Sequence, residues 1–202
     1  MEVKTGVYIR KLVITGALGA LAVFLGITRL GLIPWFSGAS LTVMHIPAII
    51  GAIVEGPFVG LGIGAIFGIV SLIQANMPNG IVDVLFRDPL VSVLPRVLFP
   101  LAAWLVYYLV SKWKKIPAII LAAVTGSLVH TALVLTMIAL TKGSGLLVGA
   151  EPGVTLWTML GAIFIANGLP EAAAAGILTT IVVASWLGFS SGKNKSKLTS
   201  GK

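Results

Sequence analysis

Apolar stretches long enough to cross a lipid bilayer recur along this chain, separated by short polar breaks. A membrane-spanning helix needs about 20 mostly apolar residues. The 202 residues are 57% hydrophobic and only 10% charged, with a mean hydropathy of +1.07, whereas a soluble domain carries about 25% charged residues. We therefore predict an all-α integral membrane protein with about six transmembrane helices.

The breaks in hydrophobicity divide the chain into three parts. We predict a short cytoplasmic leader over residues 1–11, a six-helix transmembrane domain over residues 12–187, and a disordered basic cytoplasmic tail over residues 188–202. The last apolar stretch, 154–187, is longer than one span requires and is interrupted by Asn167-Gly168-Leu169-Pro170-Glu171. The sequence leaves open whether this stretch is one kinked helix or a helix preceded by a loop element.

The net charge of +8 follows the distribution expected of a membrane protein. If both termini are cytoplasmic, ten Lys and Arg residues face inward, three face outward, and Arg96 lies within the membrane. Cytoplasmic loops carry such an excess of basic residues, so we predict a multi-pass membrane protein in this orientation. We assign it to the plasma membrane of a prokaryote. The inward set is Lys4, Arg10, Lys11, Lys112, Lys114, Lys115, Lys193, Lys195, Lys197 and Lys202, and the outward set is Arg29, Arg87 and Lys142. The charge therefore gives no reason to expect nucleic-acid binding.

Several classes of function lack their sequence signatures. The chain has no cysteine, which excludes disulfides, thiolate metal sites and cysteine nucleophiles. No Walker motif, His-Glu-x-x-His motif or serine elbow is present. The glycines at positions 60, 62, 64 and 68 follow no predicted strand, as a dinucleotide-binding motif would require. We therefore interpret them as sites of close helix packing. We predict a protein that is not an enzyme and that needs no metal or cofactor.

Arg96 is the only Lys, Arg, Asp or Glu residue in the apolar stretch Pro89–Val110. A charge at that depth costs about 2.5 kcal/mol or more, and marks a functional site or a buried ion pair. In the predicted topology, four other polar residues from three further segments fall in the same outer layer: His45, His130, Asn167 and Glu171. Their convergence indicates an outward-facing binding pocket.

Two outer loops, 29–42 and 75–88, would roof this pocket. Trp35 and Phe36 are candidate lid residues, and we add Asn76 from the second loop to the candidate binding residues. The sequence leaves open whether Arg96 and Glu171 contact a ligand or each other, since a buried pair could still offer spare hydrogen bonds.

Several segments resemble the substrate-binding S components of energy-coupling factor transporters. These segments are Lys11–Ala22, Ser40–Pro47, Val93–Arg96, Gly126–Leu128 and Asn167–Glu171. The resemblance implies a six-helix subunit that captures a micronutrient from outside, and that works with a transmembrane coupling subunit and two cytoplasmic ATPases. It also implies that the family's Ala-x-x-x-Ala docking motif corresponds here to Gly16 and Ala20, which keep the helix face small.

The resemblance extends to a substrate class. The segments His45-Ile46-Pro47 and Asn167–Glu171 are most similar to the branch assigned to pantothenate, with Arg96 and His130 as donors and Asn167 as a hydroxyl partner. Folate or a pyrimidine or pyridine vitamin precursor would suit these residues too. An alternative from another class is a self-sufficient proton-coupled transporter with Glu171 and His130 as relay, although we see no inverted repeats.

Overall fold

The computed structural model describes residues 2–35, 40–77, 81–142 and 155–199, with side chains over 5–35, 40–77, 83–142 and 155–188. Within these residues the chain forms six helical segments, two of them divided into shorter helices. They are α1 (Glu2–Ile27), α2 (Ile46–Glu55), α3 (Pro57–Gln74), α4 (Pro89–Ser92) with α5 (Leu94–Val110), α6 (Lys115–Lys142), and α7 (Leu156–Ile163) with α8 (Leu169–Thr199).

Five of these segments are long and apolar enough to cross a membrane, and only α2 is shorter. The five candidate spans are Thr5–Ile27, Pro57–Gln74, Pro89–Val110, Lys115–Lys142 and Leu156–Gly188. The predicted all-α membrane fold with six helices is therefore confirmed. Helix α1 begins at Glu2 and α8 continues to Thr199, so the backbone is helical within the predicted leader and tail. The division into leader, membrane domain and tail stays a prediction.

Helix α2 lies at the centre of the bundle and packs against α1, α3, α5, α6 and α8. Every residue from Ile46 to Ile53 is buried, which explains why this part of the helix is apolar on all sides. The helix begins at Ile46, where His45 precedes the first turn and Pro47 fits that turn without needing a donor.

The two predicted outer loops contain local structure. In the first, β1 (Leu32–Ile33) pairs antiparallel with β2 (Leu41–Thr42). In the second, residues Ile81–Arg87 form a 3₁₀ helix. The backbone N–H and hydroxyl of Ser40 donate to the Asp83 carboxylate at 3.3 and 2.8 Å, so the two loops are joined above the bundle.

The last apolar stretch is one helix with an irregular centre. A π-helical segment, Phe164–Gly168, joins α7 to α8 without a loop, which decides between the two alternatives that the sequence left open. Pro170 has no N–H to donate to the Ala166 carbonyl oxygen, so the regular α-helical pattern cannot pass through this point.

Glycines on α3 bring α5 unusually close. Gly60, Gly64 and Gly68 lie one turn apart on one face of α3. A methyl group at Gly64 would overlap the Arg96 carbonyl oxygen, and one at Gly68 would lie 2.9 Å from the Val93 Cα. The predicted role of these glycines in close helix packing is confirmed, and the contact fixes the backbone that carries Arg96.

Candidate functional site

Two adjoining cavities, each of about 60 Å³, lie beneath the paired outer loops. Four residues line both cavities, the polar Ser40, Thr42 and Arg96 and the aromatic Phe86. The second cavity is also lined by His130, Thr131, Asn167 and Glu171. The structure thus brings four of the predicted binding residues, from three helical segments, to one cavity.

Two prolines shape the backbone around Arg96. Pro95 has no N–H, so the Val91 carbonyl oxygen lacks its α-helical donor, and the Arg96 Nη1 donates to that oxygen instead. Pro100 removes the donor for the Arg96 carbonyl in the same way, and this is the oxygen that faces Gly64. The arginine is therefore anchored at both its backbone and its head group.

The Arg96 guanidinium lies over two phenylalanine rings, 4.7 Å from the Phe86 centroid and 5.5 Å from the Phe67 centroid. Only 4% of the residue is exposed. Its Nε has no hydrogen-bond partner within the described residues, and no ion pair in that part of the chain joins Arg96 to Glu171. A buried cation without a carboxylate partner is costly, so the cavity is suited to an anionic group.

Glu171 is held by two other residues. Its Oε1 accepts a hydrogen bond from the Thr42 backbone N–H at 2.7 Å, and its Oε2 accepts one from the Thr131 hydroxyl at 3.2 Å. Asn167 lies one turn earlier, buried in the π-helical segment. Glu171 thus ties α8 to both the outer hairpin and α6.

The sequence did not single out Thr42 or Thr131. Thr131 directly follows His130, so a second polar residue in the predicted layer was visible. Threonines in helices commonly bond to the carbonyl four residues earlier, however, and the pattern alone gave no reason to place this one in the site.

The two predicted histidines are both buried and stack on each other. Their ring centroids are 5.3 Å apart with planes 9° from parallel, and the Phe99 ring meets His130 edge-on at 5.0 Å. His130 lines the second cavity, whereas the predicted binding residue His45 lines neither. Neither nitrogen of His130 has a partner among the described residues, so its ring can donate or accept one hydrogen bond from a ligand.

The remaining predicted binding residues lie outside the cavities. The half-exposed Trp35 donates from its indole N–H to the Ala166 carbonyl oxygen at 3.1 Å, which attaches the first outer loop to the π-helical segment. Asn76 is exposed and donates to the Ile73 carbonyl at 3.2 Å, so the structure does not bring it to the site. Phe36 lies outside the described residues.

Gly16 and Ala20 share an exposed face of α1. A methyl group at Gly16 would have no neighbour within 4 Å, whereas one at Gly19 would lie 2.5 Å from Ile66 of α3. The small residues predicted for docking therefore face away from the bundle. In the described part of the chain, no group of three or more His, Asp or Glu residues could hold a metal ion.

Comparisons with known proteins agree with this architecture. The family model described as "ECF transporter, substrate-specific component" matches residues 10–183. The pantothenic acid transporter PanT of Lactococcus lactis subsp. cremoris (strain MG1363) is 32% identical over 156 residues, which cover 70% of this chain and 75% of that protein. The solved structure of ThiT from Listeria monocytogenes has a TM-score of 0.65 at 15% identity, covering 88% of this chain and 95% of that one, so the two share a fold.

Proposed function

Because the chain belongs to the substrate-specific components of ECF transporters, we propose that it captures pantothenate outside the cell for ATP-driven uptake. The family assignment makes it a transporter subunit of the membrane that serves vitamin uptake. The observation that carries the choice of an anionic vitamin is the buried Arg96, which lines the cavity without a carboxylate partner among the described residues. The relative named as a pantothenic acid transporter supports the same choice.

The chemistry of pantothenate fits the groups in the cavity. The vitamin has a carboxylate at one end, two hydroxyls at the other, and an amide between them. The Arg96 Nε and both His130 ring nitrogens have no partner in the part of the chain that the structure describes. The Nε can donate to the carboxylate, and the His130 nitrogens can bond to the amide or a hydroxyl. Hydrogen bonds to charged groups contribute about 1.5–3 kcal/mol each, so the carboxylate contact would dominate.

The test is the identity of the bound vitamin. The protein is purified gently in detergent, the small molecules it releases are identified by mass spectrometry, and binding is then measured by calorimetry. The panel contains pantothenate, folate, and pyrimidine and pyridine vitamin precursors. We expect pantothenate to bind far more tightly than the others. Tight binding of a different panel member would replace pantothenate as the substrate, and binding of none would refute a vitamin site.

The partners and orientation complete the proposal. The chain has no nucleotide-binding motif, so ATP hydrolysis would come from two ATPase subunits, reached through a coupling subunit that docks on Gly16 and Ala20.

The ten-to-three distribution of basic residues favours cytoplasmic termini. Since the chain has no cysteine, a single cysteine introduced at Met77 should react with a membrane-impermeant reagent added outside, and one at Lys197 should not.

A further inference from the structure

We infer that Glu171 binds a substrate hydroxyl at a point of the cavity separate from Arg96, and that Thr131 is the residue that positions it. The substrate would then be held in one direction, with its anionic end at Arg96 and its hydroxyl end at Glu171 and Asn167. This inference rests on the proposed function, because it assigns the two ends of an anionic, hydroxylated vitamin.

Glu171 has hydrogen-bonding capacity that a ligand can use. An ionised carboxylate offers about four acceptor positions, and among the described residues only the Thr42 N–H and the Thr131 hydroxyl are bonded to this one. The residue is 6% exposed and lines the second cavity. Its remaining acceptor positions are therefore available to hydroxyl donors on a ligand.

Arg96 and Glu171 offer a ligand opposite hydrogen-bonding groups. Arg96 and Glu171 line the same cavity, yet no ion pair forms between them in the described residues. The site thus presents a donor-only group and an acceptor-only group at separate points. A ligand with an oxyanion at one end and hydroxyls at the other matches both groups, and the reversed ligand places two carboxylates together.

Thr131 is placed to hold the Glu171 carboxylate. Its hydroxyl has one proton and two acceptors within reach, the Glu171 Oε2 at 3.2 Å and the Ser127 carbonyl oxygen at 3.3 Å. When the proton points to Glu171, it fixes the carboxylate against α6. Without that hydroxyl, the one bond left to Glu171 within the described residues is from Thr42, at the end of the outer hairpin. Thr131 is therefore a positioning residue for the hydroxyl end of the site.

The experiment compares three ligands on matched variants by calorimetry. Pantothenate is compared with pantothenol, in which a hydroxymethyl group replaces the carboxylate, and with tert-butylacetyl-β-alanine, which keeps the carboxylate and amide but lacks both hydroxyls. The variants are Thr131→Val, which removes the hydroxyl at similar volume, and Thr131→Ser, which retains it. Thr136→Val is the control, since Thr136 is exposed on the same helix and donates to the Ala132 carbonyl at 2.7 Å.

We expect the natural protein to prefer pantothenate over the hydroxyl-free analogue by about tenfold or more. Thr131→Val should lose most of that preference and keep the preference for pantothenate over pantothenol. Thr131→Ser and Thr136→Val should keep both preferences.

Two different results would overturn the inference. If the natural protein binds pantothenate but Thr131→Val weakens all three ligands equally, Thr131 has a purely structural role and the inference fails while the proposed function stands. If the natural protein binds no pantothenate, the proposed function fails and the inference falls with it.

Discussion

At the scale of single residues, the proposal that the cavity binds an anion depends on Arg96. Its guanidinium is covered by Phe67 and Phe86, and its Nη1 is used by the Val91 carbonyl oxygen. The remaining donors face a cavity whose acidic group, Glu171, is already bonded to two threonines. The residue is thus prepared for an anion that the described part of the chain does not itself supply.

We predict that Arg96→Gln weakens pantothenate binding by about 1.5 kcal/mol or more, because it removes a charge-assisted hydrogen bond. Arg96→Lys should restore little of this loss, since an ammonium lacks the planar, stacking head group. Calorimetry gives both affinities, and thermal unfolding in detergent gives stability. An unchanged affinity in a destabilised Arg96→Gln protein would make the residue structural.

At the scale of elements, the contact between α3 and α5 positions the arginine. Pro100 leaves the Arg96 carbonyl oxygen without its helical donor, and Gly64 allows that oxygen to approach α3. A close approach of this kind brings Cα–H groups to carbonyl oxygens and needs glycine. Packing of the two helices and presentation of the side chain therefore depend on the same few atoms.

We predict that Gly64→Ala destabilises the protein by about 1–3 kcal/mol, the usual cost of overpacking, and also weakens pantothenate binding by displacing Arg96. The control is Gly161→Ala on α7, where the added methyl has no neighbour within 4 Å and should be neutral or stabilise by up to about 1 kcal/mol. Thermal unfolding and calorimetry measure the two effects. Equal melting temperatures for the two variants would contradict the packing argument.

The elements also show how far the sequence reaches. Apolar stretches predicted the helices and their number, and the glycine spacing predicted close packing, because both depend on patterns within one segment. The interruption at Pro170 was visible in the sequence, although its π-helical form was not. The hairpin and the 3₁₀ helix depend on contacts between segments. The same reason explains why Thr131 was missed and why Asn76, assigned to the site from its loop, lies outside the cavities.

At the scale of the whole molecule, the proposed binding site and the proposed docking face lie on different surfaces. The cavities lie beneath the outer loops, whereas Gly16 and Ala20 face outward from α1. In the first half of α1, Arg10 pairs with Glu55, which lies at the end of α2 away from the cavities. A substitution on the exposed α1 face can therefore disturb a partner without reaching the cavity.

We predict that Gly16→Leu abolishes pantothenate uptake by the complete transporter and leaves binding to the isolated subunit unchanged. A leucine there has room in the free protein but would hold a partner helix away. Gly161→Leu is the control and should keep both activities. Uptake is measured in vesicles with the coupling subunit and ATPases, and binding by calorimetry. Loss of binding in Gly16→Leu would refute the assignment, and uptake by this chain alone in a pH gradient would favour a proton-coupled transporter.

The prolines described above change how related sequences should be compared. Each of three prolines leaves one carbonyl oxygen without its helical donor. The oxygen left by Pro95 accepts from Arg96, and the oxygen left by Pro100 packs on Gly64. The oxygen left by Pro170 accepts from Trp35. A relative that keeps an arginine at position 96 but lacks the preceding proline would offer its side chain no free oxygen at residue 91. In an alignment, a proline and the polar residue that bonds to the oxygen it leaves free should therefore be compared as a pair. The polar residue alone does not define the site.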